Sequence, residues 1–147
     1  PDVRAVVIDR GWADGIQRDR PVMAAGGLIG RVRVVTEHTS TVLLISDSNS
    51  AVDVIDTRSR VRGLLVGAVR GTVLQRPAQL TQLEYVTHDS DIAQDDALVT
   101  SGMDGVYPKG LPVGRIHELH KDAFGLFEEA WVLPAADLSR MEEVIVL

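Results

Sequence analysis

Serine, histidine and aspartate are the residue types here that could do covalent chemistry, and only a few stand where a site could form. Ser101, in Thr100-Ser101-Gly102-Met103-Asp104-Gly105, is the serine nearest a glycine turn. With His38 as base and an aspartate as orienting acid, it offers on paper the parts of a nucleophilic triad, which is recognised by geometry rather than chain order. A serine hydrolase using Ser101 and His38 is therefore the enzymatic alternative. Against it, no glycine precedes Ser101 to shape an elbow or oxyanion loop, and a Gly-Asp-Ser-Gly-Gly run is absent. A turn residue satisfying backbone groups is the better reading of Ser101.

Metal and phosphate chemistry fare no better. His117-Glu118-Leu119-His120 hints at a metal pair, but the surroundings read as a strand, where residues three apart point to opposite faces. Zinc needs at least a third ligand, and the chain has no cysteine. Gly26-Gly27-Leu28-Ile29-Gly30 lacks the lysine-serine pair and following helix of a phosphate loop. No catalytic, cofactor-binding or metal residue is expected, and no cofactor. His38, in Thr36-Glu37-His38-Thr39-Ser40, reads as part of a turn.

The apolar residues of the loops are of more interest. Trp12 lies between two turn glycines, Tyr107 precedes Pro108, and Phe124 and Phe127 bracket Gly125. Large rings on loops either fold back over the ends of a core or serve as anchors for a partner, since aromatics are enriched at interface hot spots. Trp12, Tyr107, Phe124 and Phe127 are the candidate interaction surface.

The elements that position these residues read as strands. Valine and isoleucine dominate the apolar content, and β-branched residues pack well on a pleated surface. Val6 to Ile8, Leu28 to Val35, Thr41 to Ile45, Val52 to Ile55, Arg60 to Val69, Leu83 to Val86, Ala97 to Thr100, Val113 to Leu119, Glu129 to Leu133 and Val144 to Leu147 are the main runs. About eleven strands at spacings near ten residues predict an all-β sandwich or barrel fold with little or no helix. In Leu28 to Val35 the alternation predicts Val32 and Val34 on one face and Arg31 and Arg33 on the other. Only Asp137 to Glu142 offers a helical turn, with Asp137 as N-cap. The segment Ala68 to Gln82 reads as a long protruding loop.

One stretch is repeated. Asp14-Gly15-Ile16 leads to Gly27-Leu28-Ile29-Gly30-Arg31-Val32, and Asp104-Gly105-Val106 leads to Leu111-Pro112-Val113-Gly114-Arg115-Ile116. A fainter echo relates Asp91 to Val99 with Asp14 to Val22, placing Asp95 where Asp19 stands. Aspartate tolerates left-handed backbone there. Gly30 and Gly114 fall inside strand patterns, where glycine permits a bulge or a sharp barrel corner. The copies lie too far apart for a solenoid of roughly 20–50-residue repeats, so a duplicated β-unit is the expectation.

The 147 residues suit one domain or two small ones. A net charge of -6 argues against nucleic acid, whose phosphates need clustered Lys and Arg. With aromatics at 4%, a stacking platform for single strands is not expected. No apolar run reaches the ~20 residues that span a bilayer. The start at Pro1 reads as a processed or excised chain, with any membrane anchor upstream.

Six segments in one order give a family resemblance: Gly26 to Val32, Val42 to Asp47, Arg62 to Gly67, Leu98 to Met103, Tyr107 to Gly114 and Pro134 to Leu138. Together they resemble the MreC family of bacterial rod shape-determining proteins. The resemblance implies two small β-barrels similar to the halves of chymotrypsin-like proteases, in a non-enzymatic domain on the periplasmic side of the inner membrane. A missing upstream helix would be its only membrane link. It implies a scaffold of cell elongation and peptidoglycan synthesis that self-associates and meets the elongation transpeptidase, a penicillin-binding protein, together with MreD, RodA and MreB. On strand count, residues 1–50 would form the first barrel, completed by the C-terminal strand 143–147, and residues 51–142 the second. Glycine would be usual where this chain has Asp19 and Asp95.

Overall fold

A computed structural model describes residues 4–67, 80–84, 86 and 90–147, without the side chains of 127 and 128. The expected loop at 68–82 falls mostly outside the described residues, as does His88. The fold is all-β. Strands β1 (Ala5–Ile8), β2 (Pro21–Ala24), β3 (Gly27–Val35) and β4 (Ser40–Leu44) belong to a five-stranded antiparallel sheet with β11 (Ile145–Val146), in the order β1-β4-β3-β2-β11. Strands β5 (Ala51–Asp56), β6 (Arg62–Gly67), β7 (Thr81–Glu84), β8 (Ala97–Thr100), β9 (Pro112–Lys121) and β10 (Phe127–Pro134) close into a six-stranded barrel. No helix among the described residues is long and apolar enough to cross a membrane.

The barrel core gathers Val52, Val54, Leu65, Leu98, Val113, Ile116 and Val132, and reaches across to Leu28 and Ile45 of the first module. The first core holds Val22, Ile29, Val32, Val42, Leu44 and Ala136. Leu28 and Ile29, neighbours on β3, thus face opposite ways into two cores, which is why this stretch is apolar without alternation. After β10 the chain leaves the barrel. Ala136, Leu138 and Met141 pack on the first core, and β11 pairs with β2 through Ile145↔Met23 and Val146↔Val22.

The repeat has a structural basis. In the first copy, Val22 pairs with Gly30, and Asp19 and Arg20 exchange backbone bonds with Val32 (Asp19 N to Val32 O 2.8 Å, Val32 N to Arg20 O 2.9 Å). In the second, Leu98 pairs with Gly114, and Asp95 and Asp96 do the same with Ile116 (2.8 and 2.9 Å). Asp19 and Asp95 are both left-handed, at φ 67° and 72°. An added Cβ on Gly30 would collide with the Leu43 carbonyl oxygen, and one on Gly114 would stand 2.5 Å from that of Leu133. Both glycines let a neighbouring strand cross closely as the sheet turns.

Two expectations need correction. Val32 is buried but Val34 is exposed, because a bulge at Arg33 (Val32↔Val42, then Val34↔Thr41) resets the phase of β3. A bulge skips His117 likewise in β9 (Ile116↔Val132, then Glu118↔Trp131). Asp137 begins a single turn, not a helix: its carboxylate accepts from the Ser139 N–H at 3.0 Å and hydroxyl, and the chain then extends. The one helical element among the described residues, a 3-10 turn at Trp12–Asp14, was not expected. The Asp14 carboxylate accepts the Gly11 N–H at 3.0 Å, and left-handed Gly15 ends it.

Candidate interaction site

The triad does not assemble. The Ser101 hydroxyl donates to Asp53 Oδ1 at 2.6 Å and accepts the Met103 N–H at 3.1 Å. Asp53 is engaged in turn by the Arg62 guanidinium at 2.9 and 3.3 Å. Burial pushes the Asp53 carboxyl up, but the Ser101 and Arg62 contacts outweigh it and hold it below the usual range. A carboxylate held anionic is a weak general base, and it fixes the hydroxyl as a turn brace. His38 sits on the β3–β4 turn of the other module, 74% exposed at its side chain and 3.1 Å from Glu37. The hydrolase reading through Ser101 and His38 is thereby overturned. His120 lies 3.4 Å from Glu118, and His117 offers its carbonyl to Gln94 at 3.3 Å.

A second polar cluster is structural. Arg58 bridges Asp96 (2.9 Å from two nitrogens) and Asp91 (3.0 and 3.1 Å), tying the β5–β6 turn to the approach of β8. The Arg58 contact, set against burial, holds the Asp96 carboxyl at about 2. Beside it, burial and the Asp96 carboxylate push Asp56 up, against the pull of the Arg58 and Ser59 amides. Its residues come from two segments more than thirty positions apart, which hides such a cluster from any local motif.

The four aromatic candidates separate. Tyr107 is 4% exposed and belongs to the barrel core, so it presents no ring to a partner. The Asp104 carboxylate caps the Val106 and Tyr107 amides at 3.0 and 3.2 Å, folding the loop inward. Burial pushes the phenol up to about 12, and its hydroxyl has no hydrogen-bond partner. Phe127 starts β10 with its backbone opposite Lys121, and its side chain lies outside the described residues. Trp12 is 59% exposed on the 3-10 turn, whose backbone is held by Trp12 N to Thr36 O at 2.8 Å.

Phe124 is 89% exposed at the tip of the β9–β10 hairpin. The tip is built by one side chain: Asp122 Oδ1 accepts both the Phe124 and Leu126 amides, at 2.9 and 3.0 Å. Asp122 N donates to Leu126 O at 2.7 Å, and Gly125 supplies the left-handed step at φ 81°. The ring is therefore held out on an ordered turn, with half-exposed Leu126 beside it. Met103, exposed in the β8–β9 loop, is an apolar surface residue that the aromatic criterion missed. The arrangement can dock an apolar surface and has no evident reactive group.

Comparison with known proteins agrees with this picture. Residues 2–147 match the family model described as the barrel core of rod shape-determining protein MreC. Cell shape-determining protein MreC of Escherichia coli is 32% identical over 142 residues, covering 97% of this chain and 37% of that protein. A crystal structure of MreC from Pseudomonas aeruginosa superposes with a TM-score of 0.87 at 31% identity, covering 99% of this chain and 89% of that one. The MreC chain in a complex with penicillin-binding protein PBP2 from Helicobacter pylori shares the fold, with a TM-score of 0.66 at 20% identity, covering 89% and 79%. The chain spans 31% to 51% of the lengths of the curated relatives it matches. By sequence and fold together, this chain belongs to the MreC family as its barrel core.

Proposed function

We propose that the chain is a non-catalytic scaffold domain of bacterial cell elongation. It works on the periplasmic side of the inner membrane, associates with itself, and binds the elongation transpeptidase. MreD, RodA and MreB are reached through the same membrane-bound assembly. The observation that carries the reading is the ordered display of Phe124 on a family-typical barrel, coupled with a Ser101 whose hydroxyl is committed to Asp53. Rigid aromatic anchors lose little freedom on binding, which favours recognition from such a tip. Trp12 is a second anchor of the same kind, on the other module.

The same reading divides the chain into two mechanical units, 1–50 completed by 143–147, and 51–142. Pairing of β11 with β2 supports the first, while the packing of Ala136, Leu138 and Met141 on its core moves the working boundary toward Pro134.

Titration calorimetry against the extracytoplasmic part of the transpeptidase, with sedimentation velocity on the chain alone, tests the reading. Saturable binding and reversible self-association are expected. Absence of both overturns it, as does labelling of Ser101 by a fluorophosphonate.

A further inference from the structure

A buried carboxyl at one end of the barrel lacks a donor for one of its oxygens. Asp56 closes β5 and is fully buried. Its Oδ1 accepts the Arg58 and Ser59 amides at 2.9 and 3.2 Å, which fold the β5–β6 turn back over it. Its Oδ2 meets no N–H or O–H group. The side chain that Asp56 does reach is another carboxyl, that of Asp96, which is 9% exposed just before β8. An ionised carboxylate offers lone pairs and nothing to donate, so two of them make a hydrogen bond only with a proton between them. Two like charges side by side and away from water force a carboxyl pair to hold such a proton.

The surrounding groups decide which carboxyl keeps it. Arg58 spends its guanidinium on Asp96, through Nε and Nη2 at 2.9 Å each, and on Asp91. Asp96 Oδ2 also accepts the Ala93 N–H at 2.9 Å. Of the other cations on elements packed against Asp56, Arg62 is paired with Asp53 and Arg115 reaches the Asp95 carbonyl at 3.0 Å. Arg60 donates its backbone N–H to the Asp56 carbonyl, and the residue opposite Asp56 on β8 is apolar Leu98. Among the described residues no cation bonds to the Asp56 side chain, whereas Asp96 is held as the anion.

We propose that Asp56 is a neutral carboxylic acid whose O–H donates to the Asp96 carboxylate, and that this one proton is a pH-sensitive latch holding the β5–β6 turn to the approach of β8. Losing it leaves three carboxylates, Asp56, Asp91 and Asp96, around the Arg58 guanidinium. Burial first, then Asp96, raise Asp56 above its ordinary 3.8 in the folded chain, so folding retains a proton that the unfolded chain gives up. The latch is therefore at full strength below about pH 4 and is lost as pH rises through the folded value. The Arg58 pairing of Asp96 runs the other way and is lost toward acid, so this end of the barrel is tightest in mild acid. Since β5 and β9 are both antiparallel to β8, the latch and the Phe124 hairpin share that end. Gln94, in the latched segment, donates to the carbonyl of His117, the residue skipped by the β9 bulge.

The inference concerns the barrel alone and does not rest on the proposed function. Carboxyl-carbon NMR of the chain, titrated from about pH 2 to about pH 8, follows each aspartate through its own curve. Asp56 is expected to titrate above the ordinary carboxylate range. Asp96 should show its main step below that range and a second inflection where Asp56 titrates. In Asp56→Asn a side-chain N–H replaces the O–H as a donor that pH cannot remove. Its urea midpoint should stay level from about pH 4 to about pH 8, while that of wild type falls. Over the same interval the Ile116 amide, bonded to the Asp96 carbonyl, should lose at least about tenfold of its exchange protection in wild type only, after correction for intrinsic exchange. An Asp56 that titrates within or below the ordinary range, an Asp96 curve blind to Asp56, parallel midpoint profiles, or Ile116 protection independent of pH each overturn the inference. Should Asp56→Asn fail to fold, the two wild-type curves decide by themselves.

Discussion

Phe124→Ser is the most direct test of the hairpin tip. A phenylalanine side chain contributes about 1.5–3 kcal/mol when moved from water into a packed interface. This ring is 89% exposed, so nearly all of that gain is still available to a partner. Ordering the side chain costs about 0.5–1.5 kcal/mol in general. The Asp122 bonds to the Phe124 and Leu126 amides already fix the backbone beneath it, which keeps the cost toward the lower end. A net loss of about 2 kcal/mol on truncation corresponds to roughly thirtyfold weaker binding. The same exposure means that the folded chain loses almost no packing, and the melting temperature should move by no more than about 2 °C. Titration calorimetry with the transpeptidase domain and sedimentation velocity read the first quantity; calorimetric melting reads the second. Asp122→Ala keeps the ring but frees the turn, and should fall between wild type and Phe124→Ser. Binding and self-association both within about twofold of wild type for Phe124→Ser would refute the reasoning. So would a melting temperature lowered by more than about 5 °C, since the ring would then be serving the fold.

Three further outcomes follow from the interior. Gly30→Ala drives a methyl into the Leu43 carbonyl and should cost at least about 2 kcal/mol in urea unfolding, with Gly114→Ala acting the same way at Leu133. Tyr107→Phe removes a buried hydroxyl that has no partner, so stability should be unchanged or higher by about 1 kcal/mol. Because the folded phenol lies at about 12, above its unfolded value near 10, wild type should lose stability as pH rises across that interval, and Tyr107→Phe should not. Asp96, held at about 2 and so below the usual carboxylate value, contributes stability at neutral pH that is lost as pH falls from about 4 toward 2. Acid titration of unfolding should show that slope flattened in Asp96→Asn.

The sequence alone determined the fold class, the positions of most strands and the family. Those properties are written in local terms: β-branched runs, turn residues at set offsets, and glycines where two backbones cross. Asp19 and Asp95 were legible as left-handed turns because aspartate is one of the few residues that tolerates that backbone. What only the tertiary structure decided depends on which distant segments meet. Two skipped residues, Arg33 and His117, shift the phase of long strands through partners some distance along the chain, so Val34 faces water although its spacing from Val32 says otherwise. Tyr107 and Phe124 are both aromatic loop residues beside turn glycines. One turned inward and one outward because Asp104 folds its loop over the barrel while Asp122 braces a hairpin that projects beyond it. Burial is a property of the closed barrel, and strand spacing carries no record of where a barrel ends.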